Sequence, residues 1–161
     1  MPLIRNGRWA EDDYAAVADD APLPDGAAIV SLKRFEAERE SLLARNAKLG
    51  VRLAASESPE ALGAAVHRLS LIVLEFPQFK DGRAFSWARM LRTRMGYGGE
   101  LRASGHFLAD QLAFLHRVGI DAFDGDARIT PAALARVLSE MTDVYQPAPD
   151  GRTTVRELRA R

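Results

Sequence analysis

The chain has 161 residues, with 22 Lys and Arg against 22 Asp and Glu and no cysteine, a length that suits one domain with a self-sufficient core. Lack of cysteine excludes disulfides, thiolate metal sites, iron–sulfur ligation and thiol redox chemistry by this chain. A hydrophobic fraction of 47% with no run of about 18 apolar residues excludes a membrane-spanning helix, and zero net charge argues against general nucleic-acid binding.

Residues 1–26 read as an acidic extension and linker, with six acidic side chains against Arg5 and Arg8. MPLIRNGRWAEDDY has no apolar stretch of the kind a secretory signal needs, so a cytoplasmic location is expected. Asn6-Gly7 between short runs predicts a tight hairpin. Ala21-Pro22-Leu23-Pro24-Asp25-Gly26 cannot continue a helix.

A single α/β domain is expected over residues 27–146. Ala28–Leu32 reads as a strand and Lys33–Leu49 as a helix stopped by Gly50. Val51–Ala55 reads as a second strand, and Ser58-Pro59 opens a helix to about Leu69. Leu71–Phe76 is a near-continuous apolar run suited to a buried strand. A helix over Ala84–Met95 ends at Gly96, a strand covers Gly99–Ala103, and a helix covers Phe107–Val118 up to Gly119. Ile120–Phe123 is a fifth strand, and Thr130-Pro131 begins a helix to about Thr142. Residues 147–161 read as a polar tail expected to fray.

Five strand–helix units in series predict a mostly parallel sheet of about five strands with helices on both faces. A flavodoxin-like, doubly wound order is the first expectation and an incomplete barrel the alternative. Either places a ligand at the carboxyl ends of the strands.

Residues 76–105 carry Lys80, Arg83, Arg89, Arg92, Arg94 and Arg102 against Asp81 and Glu100. Ala84, Trp87, Ala88, Leu91 and Met95 form an apolar helical stripe, which leaves Arg89 and Arg92 on a solvated face or on a binding face. Phe79-Lys80-Asp81-Gly82-Arg83 stands at a strand end and a helix start, where free backbone N–H groups favour an anion or an acidic partner. Arg102 is expected to face this loop from the next strand. His106 and Asp110 are four residues apart, beside Gln111, and make a local contact or a weak proton-transfer pair. They are too few for a metal site, and no metal ligand set is expected. Gly96-Tyr97-Gly98-Gly99 follows a helix rather than a strand, so it is not a dinucleotide fingerprint, and no cofactor-binding motif is recognised. Ser104 lacks the strand-to-helix setting of a hydrolase nucleophile.

Phe76-Pro77-Gln78-Phe79-Lys80-Asp81-Gly82-Arg83, then Gly99-Glu100-Leu101-Arg102-Ala103 and Asp110-Gln111-Leu112, resemble the domain of unknown function 934 family. Those proteins are encoded beside assimilatory sulfite reductase. The resemblance spans about residues 27–146. It implies an accessory or electron-transfer-linked partner in sulfate assimilation, with the sirohaem-containing sulfite reductase haemoprotein as partner and its electron donor as a further candidate. Docking would use the basic loop. A small oxyanion-binding enzyme, with Arg83 and Arg102 as a clamp and His106 or Asp110 moving a proton, is the competing expectation.

Overall fold

Every parallel strand but the last pairs with the strand that follows it in sequence. The computed structural model describes residues 3–140 and 142–160, and within them one mixed sheet runs in the order β2-β1-β8-β7-β6-β5-β4-β3. Its strands are β1 (Leu3–Arg5), β2 (Arg8–Ala10), β3 (Ala15–Ala16), β4 (Ala28–Ser31), β5 (Leu49–Leu53), β6 (Leu71–Phe76), β7 (Glu100–Gly105) and β8 (Ala122–Asp124). β3 through β8 are parallel, while β1 lies antiparallel to both β8 and β2. The expectation of about five parallel strands is therefore corrected to eight in a curled mixed sheet.

The doubly wound order is also overturned. Right-handed crossovers that always step the same way put their helices on one face, and the packing agrees. Phe35, Leu42, Leu62, Val66, Ala84, Ala88, Leu91, Leu112, Leu115, Leu134 and Val137 share one core with Val30, Val51, Ile72, Leu74, Leu101, Ala103 and Phe123. Ile29, Leu71 and Val73 point to the opposite face, where Tyr14 packs on them. We call that second side the inner face. The sheet is curled and open, and β2 and β3 form its two edges.

Residues 3–16 supply both edges. Asn6 and Gly7 take positive φ values of 51° and 77°, the backbone that a two-residue hairpin turn requires, and Arg5 pairs with Arg8 across it. Past β2 the chain crosses the inner face and adds β3 beside β4, with Ala15↔Ala28 in register.

Between the strands, the helices are shorter than expected. Ser31 caps α1 (Leu32–Ala37) by accepting from the Arg34 N–H at 3.0 Å. Glu38, at φ −117° and ψ 21°, separates α1 from α2 (Arg39–Ala44). Ser58 and Pro59 do open a helical segment, but Gly63 (φ 54°, ψ −143°) interrupts it and Pro59–Arg68 winds as 3₁₀ helix. Gly50 is not a helix stop. It lies inside β5, where a Cβ would come within 3.2 Å of Ile29 and Leu71, so its role is close strand packing. Gly96 and Gly119 do take the left-handed conformation, at φ 62° and 97°.

α3 (Arg83–Thr93) buries the expected stripe of Ala84, Ala88 and Leu91, and the Trp87 Nε1–H donates to the Ala55 carbonyl at 3.0 Å. A 3₁₀ turn at Ala109–Gln111 leads into α4 (Leu112–Arg117), followed later by α5 (Pro131–Glu140). The expected reach of that last helix to Thr142 crosses Met141, which lies outside the described residues. The tail holds α6 (Val155–Arg159), capped by reciprocal bonds between Thr154 and Glu157 and tied through the Val155 N–H to the Val144 carbonyl at 2.8 Å. A Thr-x-x-Glu capping box gives an otherwise polar tail this local order.

Candidate functional site

The loops that follow β6, β7 and β8 enclose a groove of about 490 Å³ lined by Pro77, Gln78, Phe79, Lys80, His106, Phe107, Leu108, Asp126 and Arg128. The first loop is stiffened from within. Asp81 sits just ahead of α3 and accepts the Arg83 backbone N–H at 3.2 Å, with Arg83 Nε at 3.0 Å on Oδ1 and Nη2 at 2.7 Å on Oδ2. The basic helix start expected to need an outside anion therefore carries its own carboxylate, which also suits the helix dipole. Gly82 occupies the cap position of α3. Asp126 and Arg128 repeat the arrangement after β8, with the backbone N–H bond at 2.8 Å and Nη2 to Oδ2 at 2.6 Å.

Arg83 hydrogen-bonded to Asp81, and Arg128 hydrogen-bonded to Asp126, hold both carboxyl groups below the ordinary value of 3.8. Because the folded value is the lower one, these pairs are complete above the ordinary range and are lost only as pH falls through the depressed values. In a carbon-detected NMR titration, Asp81 is expected to titrate below 3.8. Arg83→Ala should return it to the ordinary range and leave Asp126 unmoved; an unchanged Asp81 midpoint would contradict the pairing.

Gln111 joins the loops. Its side-chain NH₂ donates to the Phe79 carbonyl at 3.0 Å while its Oε1 accepts the Leu108 N–H at 2.9 Å. Phe79, whose carbonyl is thus fixed, is 54% exposed. Lys80 has no carboxylate partner among the described residues.

Of the sequence-derived candidates, Phe79, Lys80, Asp81, Gly82, Arg83, His106 and Gln111 therefore gather at one edge. Arg89 is exposed on α3 and lines a neighbouring cleft that Gln111 also borders. Asp110 is exposed on the 3₁₀ turn. His106 precedes that turn, so it shares no helix face with Asp110 and stands within electrostatic reach of Asp126 instead. Arg92 belongs elsewhere and is not a solvated residue. It donates to the carbonyls of Gly119 (3.0 Å), Tyr97 (2.6 Å) and Gly99 (2.8 Å) and pairs with Asp121. It staples the end of α3 to the amino ends of β7 and β8, opposite the groove.

Arg102 does not face the loop. It sits in mid-strand on the inner face, 2% exposed, with Nη1 on Asp12 at 2.7 Å and Nη2 on Glu100 at 3.0 Å.

The span carrying these loops is also matched by a family model. A family model described as a bacterial protein of unknown function (DUF934) matches residues 50–156. The chain belongs to this family. No curated protein matches it. In this DUF934 protein the matched span holds β6, β7, β8 and both Asp-x-Arg turns, whereas the segment that brings Asp12 to Arg102 lies before it.

The inner face contributes residues that the sequence reading did not select. Arg5 Nε bonds Glu100 at 2.8 Å, Tyr14 hydroxyl bonds Ser70 at 3.0 Å, and the Arg102 guanidinium lies over the Tyr14 ring. Nearer the carboxyl ends, Glu75, Ser104 and Asp124 are register neighbours on β6, β7 and β8. Arg52 Nε approaches Glu75 at 3.5 Å, and the Ser104 hydroxyl donates to Asp124 Oδ2 at 3.1 Å. The other Asp124 oxygen is buried and has no hydrogen-bond partner among the described residues. A signal for these positions was present. Each of β5, β6 and β8 holds one charge inside an apolar run, and β7 holds two, which a sheet covered on both faces must satisfy.

Proposed function

We propose that this DUF934 protein is an accessory or electron-transfer-linked partner of assimilatory sulfite reductase that docks through the loop after β6. The observation that carries the proposal is the presentation of Phe79: an exposed side chain on a backbone pinned by Gln111, next to Lys80, a cation with no carboxylate partner among the described residues. A rigid aromatic anchor beside positive charge suits an acidic partner surface, because little ordering entropy is lost on docking and encounter is steered. The sulfite reductase context is supported by the resemblance of the Phe76–Arg83 and Asp110–Leu112 segments to that family.

The test is binding of the purified protein to sulfite reductase haemoprotein at several salt concentrations. Phe79→Ala is expected to raise Kd at least about tenfold, and Lys80→Glu to weaken binding chiefly at low salt. Binding that ignores both substitutions and the salt would remove the proposal.

The groove favours a second function, a small oxyanion-binding enzyme at the carboxyl edge of the sheet. Its cation would be Lys80, which shares the cavity with His106 and with Arg128 on its partner Asp126, rather than Arg83 with Arg102.

A further inference from the structure

The cleft that Arg89 lines has a volume of about 520 Å³ and lies between α3, α4 and the segment after Tyr145. A separate device sets each wall. Phe85 and Arg89 stand one turn apart on α3 and share a face, and the Phe85 ring is seated edge-on against Phe76, 5.6 Å between centroids. Across the cleft, Phe114 in α4 and Val118 at its end are also one turn apart, and Phe114 is 56% exposed. The third wall is Gln146-Pro147-Ala148-Pro149. Arg117 clasps it at both ends, with Nη2 on the Gln146 carbonyl at 2.8 Å and Nη1 on the Asp150 carboxylate at 3.1 Å. The Asp150 side chain has no exposure, and the two prolines between these ties stiffen the backbone. The cleft is therefore held open in advance of any ligand.

Most polar groups in these walls are already spent. Arg117 is neutralised by Asp150, and both ends of the Gln111 amide are taken by the Leu108 and Phe79 backbone. Arg89 is the exception: it is exposed and has no carboxylate partner among the described residues. No acidic side chain lines the cleft, and its remaining surface is dominated by Phe85, Phe114, Val118 and the two prolines. One uncompensated positive charge beside aromatic walls calls for an anion with an apolar body. We infer that this cleft binds a small aromatic carboxylate. The Arg89 guanidinium takes the carboxylate through its paired N–H groups, and the ring of the ligand lies against Phe85 and Phe114. A single cation matches the one charge of a carboxylate, whereas a phosphate dianion would keep a charge unmet. A flat ring gains offset or edge-on contacts with the phenylalanines that a saturated body of similar volume does not. Because Arg89 is exposed, the charge selects the ligand and the buried ring supplies most of the affinity. The volume falls in the range of small-molecule sites. This site stands apart from the Phe79 loop and from the groove beside it.

The experiment is isothermal titration of the full chain with indole-3-carboxylate, indole, benzoate, cyclohexanecarboxylate and acetate. NMR shift changes of the Arg89 Nε–H and the Phe114 ring locate the site. Indole-3-carboxylate is expected to bind about threefold or more tightly than indole and at least about tenfold more tightly than acetate. Benzoate should bind more tightly than cyclohexanecarboxylate. Arg89→Gln should bring indole-3-carboxylate down to the affinity of indole and leave indole itself unchanged. Phe114→Ala should weaken both by about fivefold or more. Both side chains are exposed, and native circular dichroism confirms that each variant folds. Lys80→Ala should change nothing. Indole matching its acid, or cyclohexanecarboxylate matching benzoate, would overturn the inference. Binding lost on Lys80→Ala and kept on Arg89→Gln would place the acid in the groove and overturn it equally. No binding by any of these acids would also overturn it, with docking through Phe79 and oxyanion binding in the groove untouched.

Discussion

Replacing Arg102 with alanine is expected to lower the free energy of unfolding by about 3 kcal/mol, read from urea denaturation. The guanidinium is 2% exposed, held by Asp12 from the crossing segment and by Glu100 from its own strand. Removal leaves a cavity under Tyr14 and strips Glu100, itself only 17% exposed at its side chain, of one of its two arginines. Arg5 still holds the other Glu100 oxygen, which keeps the loss at the lower end for a broken buried pair. Asp12→Asn is expected to cost about 1 kcal/mol, because the Asp12 side chain is 40% exposed and screened by solvent. A double-mutant cycle between the two positions isolates the contact. Equal, small effects at both would mean that the crossing segment is held by its strand pairing alone.

Gly105→Ala is expected to cost more, about 3–5 kcal/mol, and to lower Tm sharply. Gly105 combines a φ of 113° with a Cβ position 2.5 Å from the Phe76 carbonyl oxygen. That oxygen accepts the His106 N–H at 2.8 Å, so relief of the clash must shift the chain that aims His106 into the groove. Gly63→Ala is the control. Its φ of 54° is also positive, but a Cβ there meets nothing within 4 Å, and a loss of about 1 kcal/mol is expected. A Gly105 variant no less stable than the Gly63 variant would refute the close approach of β6 and β7 at this corner.

The parts of the fold that were legible in sequence are those specified by local chemistry. Asn6-Gly7 announced its hairpin because few residues accept positive φ twice in succession. The run Leu71–Phe76 and the stripe Ala84, Ala88, Leu91 encode burial through their own periodicity. The Phe79–Arg83 loop could be placed because a strand run, a glycine and a helical stripe meet there. Strand order was not legible, since stepping one way or reversing produces the same alternation of elements. The edge strands β2 and β3, of three and two residues, are too short to display a period of two. Gly50 resembled a helix stop because glycine marks both a left-handed turn and a tight strand contact. Arg83 was read as a charge in search of an anion and Arg92 as a residue of a solvated or binding helix face. The first partner was two residues away, and the others were backbone carbonyls brought near only by tertiary folding. Asp124 gave the weakest hint, being a lone carboxylate at the end of a three-residue strand, and its significance rests on what Ser104 does 20 residues earlier in the chain.

The pairing of Leu3 with Asp124 and of Ala15 with Ala28 also sets an order of events during synthesis. Beyond its hairpin with β2, the earliest described strand, β1, has no neighbour in the sheet until β8 has been made, some 120 residues later, and the Arg5 to Glu100 bond spans 95 positions. Closing so long a loop is slow, so β4 to β7 can assemble on the nascent chain while residues 3–12 still trail free. In that interval Arg102 is without Asp12. The ribosome-bound intermediate is thus expected to be the most aggregation-prone species this chain passes through, and the last step of its folding is the laying of its beginning across its middle.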